Sequence, residues 1–453
     1  MKSYKIILML LLILGLGSCD NFLEVDPPKN ELMAGDAFKD ETTATATILG
    51  VYAQMNSFNY QFSNMLVNLV LGMSSDDMYA MMASYDDFRY NNLGPSTMYL
   101  SQFWDEPYSY IYQTNSIIAG LQSADNLSPE VRDQLLGEAH FLRGFSYFYL
   151  FNLFGEVPLV RDVDVQKNSM LPKADAAEIQ EFLIQELLLA RDLLQDNYSS
   201  EGRVRPNKKA ASALLARIYL YQEDWQKAKE AATEVIEDTR YQLIDLDGVF
   251  LKDSEEAIWQ LQTVNTSTAG VNTWEGFTVV PAVEGGVTFY LLTEALLNSF
   301  EPGDKRASTW IRSFGVPNSS GGTTTYHYPF KYTYRTVTPV QEYSMVMRLA
   351  EQYLIRAEAN AQLGDVDAAM LDVNAIRERA DLDLLENRSQ IEVLEDIAAE
   401  RQHELFTEWG HRWFDLIRTG KALEVLAPIK EGFTQEDFLF PIPLTATLSN
   451  PNL

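Results

Sequence analysis

The sequence predicts a mostly α-helical protein: a tetratricopeptide-like scaffold of helical hairpins, interrupted by irregular loops and short β-strand excursions. Three observations predict it. Apolar residues recur at three and four over long stretches such as 129–154 and 175–196. Two segments at a constant offset of 141 residues repeat one hairpin pattern. Between them, 263–343 loses the helical period and gains Gly, Pro and Thr. With 453 residues the chain is long enough for one large or two intimately packed domains.

The chain opens on Lys2 and Lys5, followed by an unbroken apolar run from Ile6 to Leu16. That run suits a signal-peptide core and is too short to cross a bilayer, which takes about 20 residues. Leu16-Gly17-Ser18 precedes Cys19, the chain's one cysteine. Small residues before Cys form the cleavage box of a bacterial lipoprotein, in which the thiol takes a diacylglyceryl group and the Cys becomes the new N-terminus. Several acyl chains at one residue anchor stably where a single chain does not. The expected order is a leader (1–18), a lipid-anchored tether (19–33) and a body (34–453). Pro27-Pro28 keeps the tether out of helix.

Within the body, Ile48, Val51, Tyr52 and Met55 set a helical period over 34–71. Residues 73–101 lose it among Gly, Pro and aromatics and read as loops. Helix returns at 102–121, 129–154 and 175–196, with Ser128-Pro129 at one start and Gly155 beyond one end. The repeated hairpins are 216–228 (ARIYLYQEDWQKA) and 357–369 (AEANAQLGDVDAA), in which Asp224 matches Asp365 and Ala stands at both ends. A long helix, a tight Asp-containing turn and Ala at the crossing make a tetratricopeptide-type hairpin. In the second excursion, Tyr326, Tyr328, Phe330, Tyr332 and Tyr334 alternate with polar residues, which places all five on one face of an extended strand. Pro329 confines that strand to an edge or a bulge.

A net charge of −29 disfavours nucleic acid and anionic lipid headgroups as general partners. Removing 1–18 takes away two lysines and no acid. No motif calls for a cofactor or a catalytic metal. His403-Glu404 begins a zinc-protease pattern that Thr407 breaks, and the acidic clusters permit calcium without a spacing that demands it. Glu400, Glu404 and Glu408 repeat every four residues, so they share a helical face. Arg401 and Arg412 are placed to pair with them, and the cluster reads as fold-maintaining.

The C-terminal third carries a specific pattern. It runs from Val346-Met347-Arg348-Leu349-Ala350-Glu351 through Glu400-Arg401 and Glu404 to His411-Arg412-Trp413-Phe414-Asp415-Leu416. Arg418-Thr419-Gly420 and Phe440-Pro441-Ile442-Pro443 follow. With 138–158 (EAHFLRGFSYFYLFNLFGEVP) and Cys19-Asp20-Asn21-Phe22-Leu23, the whole mature chain resembles a SusD/RagB-family nutrient-binding lipoprotein of Bacteroidota. The chain stops at Asn-Pro-Asn-Leu, where members often add a few polar residues. The resemblance implies a cell-surface lipoprotein of the outer membrane that captures an oligosaccharide or another nutrient. It would pass that ligand to a SusC-like TonB-dependent transporter, which its hairpins face.

Sugar recognition needs partly exposed aromatics on loops beside fixed polar side chains. Two stretches qualify: Asp76, Asp77, Tyr79, Tyr85, Asp86, Arg89, Tyr90, Asn91 and Asn92, and then Asn272, Trp274, Glu275 and Phe277. From these the expected ligand set is Asp76, Asp77, Tyr85, Arg89, Tyr90, Asn92, Asn272, Trp274 and Phe277. Trp104 with Tyr108, Tyr112 and Asn115 at helical spacing reads as packing, as does the Tyr326–Tyr334 stripe. Two other classes stay open at this point. One is a scaffold that binds only protein partners. The other is an exported helical glycoside hydrolase, for which no carboxylate pair is selected.

Overall fold

The computed structural model describes residues 37–264 and 268–453. The leader, Cys19 and the tether lie outside the described residues. Helix α1 (Glu41–Met55) starts where Asp40 accepts a hydrogen bond from the Thr43 N–H at 2.8 Å. The single helix expected over 34–71 is broken. After α1 come an irregular stretch, a π-helical turn at Phe62–Leu66, and α2 (Val67–Ser74). Tyr60 is left-handed (φ 62°), which no α-helix accommodates. The Phe62 N–H leaves the helical pattern to donate to Glu106 Oε2 at 2.9 Å. Inside the stretch read as loops lie a short strand, β1 (Met78–Ala80), and one helical turn, α3 (Asp86–Arg89).

The long helices follow the sequence closely: α4 (Gln102–Gln122), α5 (Pro129–Phe154) and α6 (Ala176–Leu193). Ser128 caps α5 with Pro129 in its first turn, and Gly155 at φ 70° ends it. The first repeated hairpin is α7 (Lys208–Tyr221) and α8 (Trp225–Ile236). Asp224 caps α8 through the Lys227 N–H. Ala216 and Ala228 are fully buried at the crossing, where a larger side chain would push the axes apart.

Strand β2 (Ala257–Leu261) leads into the second excursion, which holds α9 (Trp274–Val279), β3 (Tyr290–Leu292), β4 (Ile311–Pro317) and β5 (Thr323–Pro329). Strand β6 (Ser344–Arg348) and the second hairpin follow, α10 (Leu349–Gln362) and α11 (Val366–Arg379), with Asp365 capping α11 through Ala368. Then come α12 (Gln390–Leu405), α13 (His411–Arg418) and a short C-terminal helix, α14 (Leu444–Ser449). From α4 to α8 each helix packs against the next in chain order; α8 then packs on α10, and α10 on both α11 and α12. The strands form three two-stranded antiparallel ladders: β1 with β3, β2 with β6, β4 with β5.

The aromatic alternation holds only as far as the ladder. Pro329 ends β5 opposite Ile311, where a missing donor costs least. Beyond it Lys331, expected on the polar face, is buried. Its ammonium donates to the Glu404 and Phe406 carbonyls and to Glu408. Trp104 is packed as expected, edge-on to Phe154 at 5.0 Å.

The three glutamates do hold the fold, in a buried lattice of charge. Glu400 takes Arg306 and Arg377, each at 2.7 Å. Glu404 takes Arg348, Arg379 and Arg306, while Glu408 takes Arg348 and Lys331. Glu256 on the approach to β2 joins Arg348 and Arg379. The arginines expected there sit elsewhere. Arg401 pairs with Asp415 at 2.7 Å, because its side chain leaves α12 about 100° round from Glu400. Arg412 reaches Asp76 instead. Burial would raise the Glu404 carboxyl, but Arg379, Arg348 and Arg306 outweigh it and hold the group well below the ordinary range.

Candidate functional site

Four tyrosines from four separate segments meet on the excursions. Tyr60 follows α1, Tyr85 sits in a 3₁₀ turn before α3, Tyr99 precedes α4, and Tyr290 opens β3. The rings of Tyr60 and Tyr99 stack at 5.6 Å and 11°. Tyr99 stacks in turn on Tyr85 at 5.3 Å, and Tyr290 meets Tyr85 edge-on with hydroxyls 3.3 Å apart. Tyr85 and Tyr290 are buried, whereas Tyr60 and Tyr99 are half-buried and pack against the core. The inner pair thus supports the outer pair.

The backbone is committed to this arrangement. Tyr60 (φ 62°) and Tyr99 (φ 68°) both occupy the left-handed region, an uncommon conformation for a bulky residue that persists only where surroundings enforce it. Those surroundings are visible. The Tyr60 N–H donates to Asn59 Oδ1 at 2.9 Å, and Glu106 in α4 receives both the Phe62 N–H and the Tyr110 hydroxyl. Burial pushes the Glu106 carboxyl up to about 7, so this tie weakens little between acid and neutral pH. Burial also raises the Tyr85 and Tyr290 phenols, which remain neutral donors.

Beside this stack, the Arg89 guanidinium lies over the Tyr79 ring at 4.6 Å and the Tyr90 ring at 5.2 Å. Tyr90 is 47% exposed. The β1–β3 register sets Tyr290 opposite Ala80 and Tyr79 opposite Leu291, so the two aromatic groups emerge on opposite faces of one small ladder. The arrangement offers flat apolar faces with phenol hydroxyls and a guanidinium beside them. It offers no paired carboxylates across a cleft.

The other expected ligand residues are divided by burial. Asp76 and Asp77 end the α2 region inside the protein. Asp76 takes a two-pronged pair from Arg412 at 2.7 and 2.8 Å, and Asp77 accepts from Gln402 at 3.2 Å. Burial and then Asp76 push the Asp77 carboxyl up to about 7. Asn92 is exposed, its N–H held by the Asp87 carbonyl at 2.8 Å. Asn272, expected on an open loop, is fully buried; it accepts from the Gln341 N–H at 2.7 Å and donates to the Val337 carbonyl at 2.9 Å. Trp274 is buried too. Gly270 packs directly on its ring, so close that an added Cβ would lie 2.6 Å from ring atoms. Phe277 is half-buried, edge-on to Trp274 and covered by Arg335 at 4.2 Å. A Gly/Thr-rich loop offered no apolar partner in its sequence, and the missing partner proves to be glycine backbone.

Sequence reasoning missed Tyr60, Tyr99 and Tyr290. The available signal was the polar break 56–61 (NSFNYQ), which interrupts the apolar period just before Phe62.

Glu275 fixes the second excursion to α2. It accepts from Asn68 Nδ2 at 2.5 Å, and burial raises its carboxyl to about 8, with Lys331 opposing and Glu408 and Glu342 assisting. A carboxyl raised on folding binds its proton more tightly in the folded chain. Its contribution is therefore lost as pH rises from the ordinary range near 4.5 through about 8. Glu275→Gln keeps an acceptor for Asn68 and cannot ionise. Its melting temperature is expected to equal that of the wild type near pH 5 and to exceed it above pH 8. The difference corresponds to a few kcal/mol, at about 1.4 kcal/mol per pKa unit. Parallel melting curves across that range would contradict a buried ionising Glu275.

Helical hairpins stacked in chain order, with an aromatic platform raised on their connecting excursions, define a tetratricopeptide-like binding protein. Residues 21–220 match the family model described as "Starch-binding associating with outer membrane", and residues 301–453 match that of the SusD family. The chain belongs to the SusD/RagB family, whose members bind carbohydrate at the outer membrane. Two SusD-like proteins of Formosa agariphila are 26% and 27% identical, each over 100% of this chain and 98% and 99% of the relative. Among solved structures, a laminarin-binding SusD-like protein superposes with a TM-score of 0.78 at 25% identity, covering 91% of this chain and 98% of its own. A SusD superfamily protein of Bacteroides vulgatus shares the fold at a TM-score of 0.80 and 22% identity, over 92% and 98% of the two chains. Among the described residues, no helix is long and apolar enough to cross a membrane.

Proposed function

We propose that this protein is a cell-surface glycan-binding lipoprotein. It captures an oligosaccharide on the Tyr60–Tyr99 platform and delivers it to a SusC-like TonB-dependent transporter. The observation that carries the reading is the stacked, half-buried tyrosine pair held in left-handed backbone. Sugar C–H faces lie against such rings, and the Arg89 guanidinium beside Tyr90 and Asn92 supplies fixed donors for hydroxyls. Tyr85 backs the platform from beneath. Asp76, Asp77, Asn272, Trp274 and Phe277 serve by shaping and anchoring the excursions. The laminarin-binding relative supports a glucan as one ligand to try. The chemistry on the platform is recognition, without a catalytic step.

The division into a leader at 1–18, a lipid-anchored tether at 19–33 and a body from 34 belongs to the same proposal. Cys19→Ala is expected to release the protein from the membrane fraction with its melting temperature unchanged. Continued membrane association in cells lacking the transporter would overturn lipid anchoring. The functional reading itself is tested by isothermal calorimetry of the body against neutral and acidic oligosaccharides. Binding to one class, lost in Tyr99→Ala, is the expected result. Silence across the panel, with the transporter still co-purifying, would favour a scaffold for protein partners.

A further inference from the structure

The described chain begins at Ala37, and it begins in the wall of a groove. Ala37 and Phe38, Thr47 of α1, the Tyr112–Gly120 stretch of α4 and Val163 beyond α5 line a space of about 520 Å³. Phe38 shows how the chain arrives. Its ring lies on Gly120, where an added Cβ would stand 2.0 Å from a ring carbon. The entering chain is therefore already seated on α4. Tyr112, read from its helical spacing as a packing residue, is instead 46% exposed, and Val163 is 41% exposed. Aromatic and aliphatic surface thus stands uncovered beside the point of entry.

The chemistry of the groove selects an apolar occupant. Its lining contains no charged side chain, and its open surface is mainly apolar. Its polar side chains are tied within the helices. The Thr47 hydroxyl donates to the Ala44 carbonyl at 2.7 Å, and the Ser116 hydroxyl to the Tyr112 carbonyl at 2.9 Å. Gln113 Nε2 donates to Gln54 Oε1 at 2.5 Å. An ion would find no counter-charge here, whereas an apolar side chain gains by leaving water.

The chain itself supplies such side chains at the right distance. Leu32-Met33 is the apolar pair nearest to Ala37 on its N-terminal side. Five residues of chain span at most about 17 Å, so both side chains can reach a groove that Ala37 lines. The residues behind them, 26–31, are two prolines and four polar residues. An attached segment competes at an effective concentration of the order of millimolar, which a free partner seldom matches.

We propose that this groove is the docking site of the chain's own Leu32-Met33 segment. The leash to Cys19 then leaves the body at the α1–α4 edge, and its free length is residues 20–31, at most about 40 Å. The docking itself is independent of the glycan reading; only its consequence for the leash rests on lipidation at Cys19.

The test uses the mature chain from Asp20 onward, which has no cysteine, so that an introduced thiol is unique. Ser116→Cys places that thiol in the groove. Its alkylation by a maleimide is expected to be at least about tenfold slower than in the same chain carrying Leu32→Ser and Met33→Ser. Ala119→Cys, exposed in the same groove, repeats the measurement with the Ser116 hydroxyl bond left in place. Ser319→Cys, at the exposed tip between β4 and β5, is expected to react at one rate with or without the two serines. Equal rates at both groove positions overturn the docking, and so does a change at Ser319→Cys of the same size. Slow alkylation that the two serines leave unchanged but dilution relieves would assign the cover to a second copy, which also overturns it.

Discussion

Glu404→Ala is expected to destabilise the protein by about 3–5 kcal/mol, enough to leave much of it unfolded in the cell. Glu404 is fully buried and receives Arg348, Arg379 and Arg306, from three different segments. Two of those arginines also serve Glu256, and Arg306 also serves Asp304 and Glu400. Removing the central carboxylate leaves three guanidinium groups sharing fewer anions in a buried site. The loss is therefore larger than one ion pair on a surface, where the usual figure is under about 1 kcal/mol. Glu404→Gln keeps the shape and an acceptor but loses the charge, and should fall between. Chemical denaturation of both variants measures it, and two wild-type curves would show that the lattice is not load-sharing in this way.

Tyr99→Ala is expected to abolish useful ligand binding while leaving the melting temperature nearly unchanged. Tyr99 is the middle ring of three, between Tyr60 and Tyr85. Its removal deletes one stacking face, worth about 1–3 kcal/mol at a binding hot spot, and frees Tyr60 from its support. The two effects are coupled, so Tyr60→Ala combined with Tyr99→Ala should cost less than the sum of the single variants. The left-handed strain at this position, of the order of 1 kcal/mol, is the same in both chains because Ala keeps the Cβ, so the melting temperature reports only the packing that the ring supplies. Calorimetry on the oligosaccharide that binds wild type gives the first quantity and thermal melts the second. Unchanged affinity with a lower melting temperature would place Tyr99 in the packing.

The scaffold was legible because its signals are local. Ser128-Pro129 and Gly155 bound α5 at both ends, and Asp224 and Asp365 cap their helices by contacts within three residues. The proposed binding face was only partly legible, because its contacts are not local. Arg89, Tyr90 and Asn92 were found on the surface from loop composition, but Trp274 looked exposed until Gly270 supplied its partner. Tyr60 is hidden inside an apparent helix because the polar break at 56–61 is short and lies between two apolar helical runs. Likewise the face of a helix an arginine uses depends on what stands opposite, which is why Arg401 and Arg412 found Asp415 and Asp76.

The helices from α4 to α8 touch their neighbours in chain order, whereas Tyr85 and Tyr290 meet across 205 residues. Short-range contacts close with little loss of chain entropy and form early, and long-range ones wait for the intervening chain to be placed. The scaffold therefore forms before the four-tyrosine cluster, and the cluster exists only in a chain whose long-range contacts are complete.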